Sequence, residues 1–158
     1  MRKPTIRGLR LALVAVGLAG LFVAVNAVPG AATPASGVTG VGLARGTNRS
    51  VGTIPLHEGT DVVVVKNTFV AGGSSGWHSH PGGAIVVVTV GEITLYRSVG
   101  NHCDATKYIA GQAFIERPSD VQKGVNTGVV PAVVVVTFPN VPPGSSPTHS
   151  EPDPRCPA

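Results

Sequence analysis

His78 and His80 stand one residue apart in the stretch Trp77-His78-Ser79-His80, just ahead of the valine-rich run from Ala84 to Val90. In an extended chain, residues i and i+2 point to the same face, about 7 Å apart along the strand. Two imidazoles placed in this way can converge on one divalent cation, and neutral imidazole is the commonest metal ligand in proteins. Two donors do not hold a metal firmly. Without others, the pair reads as hydrogen-bonded polar groups at a pocket mouth, free of metal.

Several residues are candidates for the missing donors. Glu92 adjoins a turn and shares strand parity with Tyr96. Glu116 lies two residues after Phe114, so one strand face carries both. His57 and Glu58 precede a strand, and His102 and His149 fall in expected loops. Charged side chains are rarely buried without a partner, so each of these is expected in solvent. Other chemistries find less support. Ser74-Ser75-Gly76 is followed by no helix, which a nucleophile elbow requires. The same helix start is missing for a phosphate cradle at Gly72 to Gly76. No carboxylates are paired at a diagnostic spacing.

The elements that must position these histidines read as strands. Valine dominates the composition, and 21 glycines and 14 prolines supply turns. Strands are expected in Asp61 to Val70, Trp77 to His80, Ala84 to Val90, Ile93 to Val99, two around Gly111, one at Val121, and Pro131 to Pro139. Gly100 to Thr106 is expected to be a loop. About eight short strands with no helical period imply an all-β sandwich or small barrel. The unbroken valine runs imply strands buried on both faces, as in a double-sheet jelly roll.

Residues 1–27 read as a secretory signal peptide: Arg2, Lys3, Arg7 and Arg10, then an apolar stretch, then Val25-Asn26-Ala27. The alternative is an uncleaved membrane anchor, since the apolar stretch approaches the ~20 residues that span a bilayer. Residues 28–40 read as a flexible spacer, residues 41–139 as the barrel, and residues 140–158 as a proline-rich tail without regular structure. The chain is expected to be secreted. It carries 12 Lys+Arg against 8 Asp+Glu, but four of the basic residues lie in the leader, leaving a balanced remainder. No basic patch with interleaved aromatics remains, which argues against a nucleic-acid partner. Cys103 and Cys156 form an even count in an exported chain and read as one disulfide stapling the tail, worth ~4 kcal/mol for so long a loop. A Cys/His metal site from His102, Cys103, His149 and Cys156 is the competing reading, and it lacks any ligand spacing that would fix its geometry.

Around the histidine pair the chain resembles the cupin family of small β-barrels. The family's first motif runs glycine, five residues, His-x-His, three or four residues, glutamate, six residues, glycine. Here Gly72, His78, His80 and Gly91 match it, and Ala84 stands at the glutamate position. The second motif runs glycine, five residues, Pro-x-Gly, two residues, histidine, three residues, asparagine. Gly111 opens it, Pro118 sits one residue late, Asn126 closes it, and Gln122 stands at the histidine position. The resemblance covers about Leu43 to Phe138. It implies a double-stranded β-helix, and metal-binding members use three histidines and one glutamate. Carried over, it gives His78, His80 and, more weakly, Gln122 as ligands of one loosely held divalent metal. A neutral amide oxygen is a poorer ligand than imidazole for Zn or Fe.

Two functions therefore stand side by side. One is a secreted barrel that binds a small molecule in an apolar pocket, with an incomplete metal-ligand set. The other is a metal-dependent enzyme of oxygenase or isomerase type using His78 and His80. A structural barrel without chemistry is a third reading, and homodimerisation is compatible with all of them.

Overall fold

The computed structural model describes residues 41–155, and the expected leader and spacer lie outside the described residues. Ten strands follow in chain order: β1 Thr47–Asn48, β2 Asp61–Phe69, β3 His78–Ser79, β4 Ala84–Val90, β5 Glu92–Val99, β6 His102–Ile109, β7 Gln112–Glu116, β8 Gln122–Val125, β9 Ala132–Val141 and β10 His149–Ser150. They form two five-stranded sheets, in the orders β1-β7-β4-β9-β2 and β10-β3-β8-β5-β6. All pairings are antiparallel except β1 with β7. The chain crosses between the sheets repeatedly, which gives the jelly-roll, double-stranded β-helix architecture. Among the described residues no helix is long and apolar enough to cross a membrane.

The core forms where the inner faces of the sheets meet. Val86 and Val88 of β4, Ile93 and Leu95 of β5, Phe114 of β7, and Val134, Val136 and Phe138 of β9 are buried together. Tyr108 of β6 stacks on Phe114 with ring centroids 4.2 Å apart. The valine runs behave differently from the expectation of two buried faces. In β2, Val62 and Val64 are 61% and 54% exposed, while Val63 and Val65 pack on the core. An antiparallel sheet needs only one covered face, so each run alternates in burial.

Two further differences concern loops. The expected loop from Gly100 to Thr106 is a tight turn at Gly100 and Asn101 between β5 and β6, which places Cys103 on a strand. The tail is also partly regular. β10 adds to β3, with His149 opposite Ser79 and Ser150 opposite His78. Free backbone donors and acceptors at the edge of β3 recruit it, whatever its proline content. Cys156 lies outside the described residues. Among the described residues no cysteine is free, and Pro154 and Arg155 border the same hollow as Cys103.

Turn chemistry fixes the register. Gly91, between β4 and β5, has φ of +69°, and a Cβ there would lie 2.8 Å from the Pro131 carbonyl oxygen. Only glycine meets both demands. Asn126 is fully buried after β8. Its Nδ2 donates to the carbonyls of Phe69, Val70 and Val130, and its Oδ1 accepts from Gly128 N–H. It thereby ties the end of β2 to the turn leading into β9.

Candidate metal centre

β3 is short because Gly76 (φ +70°) ends the preceding turn and Pro81 follows His80. Within that stretch both histidines turn into the barrel. His78, Ser79 and His80 are all buried. The ring centroids of the two histidines lie 4.7 Å apart, and His80 packs at the same distance on Phe138.

Both imidazoles are held by main-chain carbonyls. His78 Nδ1 lies 2.8 Å from the Gly76 oxygen, and His80 Nδ1 lies 2.8 Å from the Pro147 oxygen. A carbonyl only accepts, so each Nδ1 donates, and in the neutral ring each Nε2 keeps its lone pair. This is the outer-shell arrangement that orients metal-ligating histidines. Ser75 Oγ, which accepts from Gly124 N–H, also borders His78 Nδ1 at 3.3 Å. Burial lowers the pKa of His78. The Gly76 hydrogen bond and the nearby Glu116 charge oppose that shift, and His80 adds to it.

The carboxylate comes from a position the motif does not predict. Glu116, expected in solvent, is buried, with Oε2 3.1 Å from His80 Nε2. Donor atoms of His78, His80 and Glu116 all lie within 4.8 Å of one another. Glu116 is the cross-strand partner of Ala84, the residue at the family's glutamate position. Directly opposed residues have Cβ atoms only about 4.5–5.5 Å apart. Glu116 on β7 therefore reaches the space that a glutamate at position 84 on β4 would reach. Gly83 permits this approach: its φ is +75°, and a Cβ there would lie 2.7 Å from the Glu116 carbonyl oxygen. The sequence did carry a signal, because Glu116 shares its face with the core residue Phe114.

These donors suit a cation. A neutral His80 has only an Nε2 lone pair to offer Glu116 Oε2, so the 3.1 Å contact is held either by a proton on one of the two groups or by a metal between them. At metal–ligand distances near 2.1 Å, two donors on one ion sit about 3.0–3.4 Å apart, which brackets the 3.1 Å His80–Glu116 separation, and the full cluster, within 4.8 Å, closes on one ion with small side-chain shifts. Gln122 supplies a second indication. It pairs in register with His78, is 0% exposed, and neither of its amide atoms has a hydrogen-bond partner. It shares strand parity with Gly124, which lines the barrel cavity. A buried amide with both atoms unsatisfied costs several kcal/mol, of order 1–3 for each, unless something occupies the space beside it.

The remaining candidates lie elsewhere. Glu92 bonds Lys107 Nζ at 2.7 Å, which lowers its pKa, and it also accepts from Thr127. His57, Glu58, His102 and His149 are exposed, with His102 3.5 Å from Asp104. Above the cluster opens a cavity of about 550 Å³. Phe69, Phe114, Phe138 and valines form its apolar wall, and Asn67, Ser74 and Thr148 are among its polar residues.

No family model and no curated protein matches the sequence. Solved structures do. A recombinant oxalate oxidase in complex with glycolate is similar with a TM-score of 0.50 and 25% identity, over 56% of this chain and 45% of that one. The Bacillus subtilis oxalate decarboxylase, studied for its Mn(II) centres, gives a TM-score of 0.50 at 17% identity, over 58% and 24%. A Klebsiella pneumoniae protein with a double-stranded beta-helix domain gives 0.43 at 26% identity, over 60% and 80%. The chain spans less than half the length of the oxalate oxidase chains it matches.

Proposed function

We propose that the chain is a cupin-like, metal-dependent barrel protein that binds a divalent cation through His78, His80 and Glu116, with Gln122 as a fourth donor and a small ligand in the cavity above. The observation that carries this reading is the convergence of three buried donors whose imidazoles are already held in the metal-binding tautomer. A bound divalent ion would supply Lewis acidity to a ligand reaching it through the cavity. Glu116 offsets one of its two charges, which leaves a net positive floor. Lys66 is the one cationic residue among the lining residues. This balance suits a small monoanion whose apolar part meets Phe69, Phe114 and Phe138, and the likeness to an oxalate oxidase holding glycolate supports a small carboxylate.

Catalysis is favoured over passive storage by the open side of the site. Three protein donors leave a coordination position facing the cavity, as in catalytic rather than structural metal centres, and with Gln122 as a fourth donor a six-coordinate ion such as Mn²⁺ keeps open positions. We propose that residues 1–27 are a cleaved leader, that the protein acts outside the cytoplasm, and that Cys103 pairs with Cys156. Intact mass of the secreted chain checks both: loss of the first 27 residues and two missing hydrogens are expected, and two free thiols refute the pairing.

The metal reading is tested on untagged mature protein stripped with chelator and titrated with Mn²⁺, Zn²⁺ or Co²⁺ by calorimetry. One ion per chain is expected in the wild type, and none in His78→Ala or His80→Ala. Absence of binding at high micromolar metal overturns it.

A further inference from the structure

We propose that the C-terminal strap, residues 142–151, is a positioning element of the metal centre, fixing the orientation and tautomer of His80. This rests on the metal reading above and assigns a role to a segment outside both family motifs.

Four observations converge on it. The carbonyl that holds His80 Nδ1 belongs to Pro147, 67 residues away in the chain. Thr148 lines the cavity, and its Oγ1 lies 3.5 Å from the same nitrogen. β10 then pairs with β3, the strand that carries His78. Finally, Glu151 clasps that strand twice: its N–H donates to the Trp77 carbonyl at 3.0 Å, and its Oε1 accepts from Ser79 Oγ at 2.6 Å. The strap therefore holds β3 as a sheet neighbour and presents one acceptor to the ring of His80. Without the Pro147 carbonyl, either nitrogen of His80 can carry the proton, and the tautomer with a proton on Nε2 cannot ligate through the nitrogen that faces Glu116. Gly76 does the equivalent work for His78 from within its own turn. His80 has no such local partner and depends on the strap.

The test compares wild type with a chain ending at Val141, with Glu151→Ala, and with Glu151→Gln, whose amide oxygen still accepts from Ser79. Two readouts are used: Co²⁺ affinity with its visible absorption, and the histidine side-chain ¹⁵N spectrum of the metal-free protein, which reports the His80 tautomer. Truncation should weaken Co²⁺ binding about 10–100-fold, the usual effect of losing an outer-shell partner. Glu151→Ala should weaken it severalfold and mix the His80 tautomers, and Glu151→Gln should restore both. If the truncated chain fails to fold, Glu151→Ala alone decides. Unchanged affinity and an unmixed tautomer in Glu151→Ala overturn the proposal. If wild type binds no Co²⁺, the metal reading fails, while the tautomer in metal-free protein still decides whether the strap positions His80.

Discussion

If the carboxylate of this site can stand on either side of one strand pair, it should be movable from β7 to β4. Ala84 and Glu116 face each other across the β4–β7 ladder, and both are buried. With Cβ atoms only about 5 Å apart, a carboxylate on either strand reaches the same space. Glu116→Gln keeps the shape and removes the charge. Outer-shell partners already account for 10–100-fold in metal affinity, so losing a direct ligand should weaken binding by at least about 100-fold, or 2.7 kcal/mol. Thermal unfolding converts this into a visible shift. At a metal concentration of 100 times the wild-type Kd, binding stabilises the wild type by about 2.7 kcal/mol. For a domain of roughly 100 residues that raises Tm by about 10 °C or more. At the same concentration Glu116→Gln sits near its own Kd, gains about 0.4 kcal/mol, and shifts by only about 2 °C. The exchange Ala84→Glu with Glu116→Ala should recover most of the wild-type increment, because the volume removed on β7 is returned on β4. Calorimetric titration supplies the affinities independently. A Glu116→Gln protein that binds metal as tightly as wild type refutes the donor assignment. An exchange variant that folds but binds no better than Glu116→Gln refutes the cross-strand equivalence.

Three other outcomes follow from the same geometry. Gln122→His should tighten Zn²⁺ or Co²⁺ about tenfold in titrations, since imidazole is the better ligand, and no change would place Gln122 outside the donor set. Asn126→Ala leaves three carbonyls and one N–H without their buried partner and should cost about 3 kcal/mol in urea unfolding, with the fold retained. Burial lowers the pKa of His78 below 6.5, so the unfolded chain takes up more protons than the folded one as pH falls. The stability tied to neutral His78 is thus present above pH 6.5 and lost as pH drops through the lowered value. Urea unfolding of metal-free protein should show this loss in wild type and a shallower one in His78→Gln, and parallel profiles would contradict it.

Local signals made most of the barrel legible. The valine runs and glycine turns mark β2, β4, β5 and β9, and the i, i+2 rule places His78 and His80 on one face. Glu116 was not legible in the same way. Its parity with Phe114 pointed inward, but a buried carboxylate is rare, and its partner His80 lies 36 positions earlier, just past β3 of the other sheet. Only the β4–β7 register, fixed by the close passage of Gly83, brings them together. The strap escaped for a related reason. Proline-rich segments carry no periodicity, and β10 exists because β3 offers a free edge, which is a property of the folded sheet rather than of residues 149 and 150.

The position of the carboxylate has a consequence for how metal and fold are coupled. His78 and His80 sit on or beside β3 in one sheet, whereas Glu116 ends β7 in the other. A metal held by all three therefore links the two sheets directly, at a point where the apolar core gives way to the cavity. A glutamate at position 84 would also reach the ion from β7's own sheet, through β4, so the link itself is the same from either strand. What differs is the strand that bears the charge. β7 pairs in parallel with β1, whose Thr47 and Asn48 bring in the chain from residue 41. Ser50 Oγ accepts from Ile115 N–H next to Glu116 at 2.7 Å. The segment that enters the barrel thus braces the residue beside Glu116, as the strap is proposed to brace His80. Both ends of the described chain bear on the centre, and metal binding should protect both from proteolysis more than it protects the exposed β5–β6 turn.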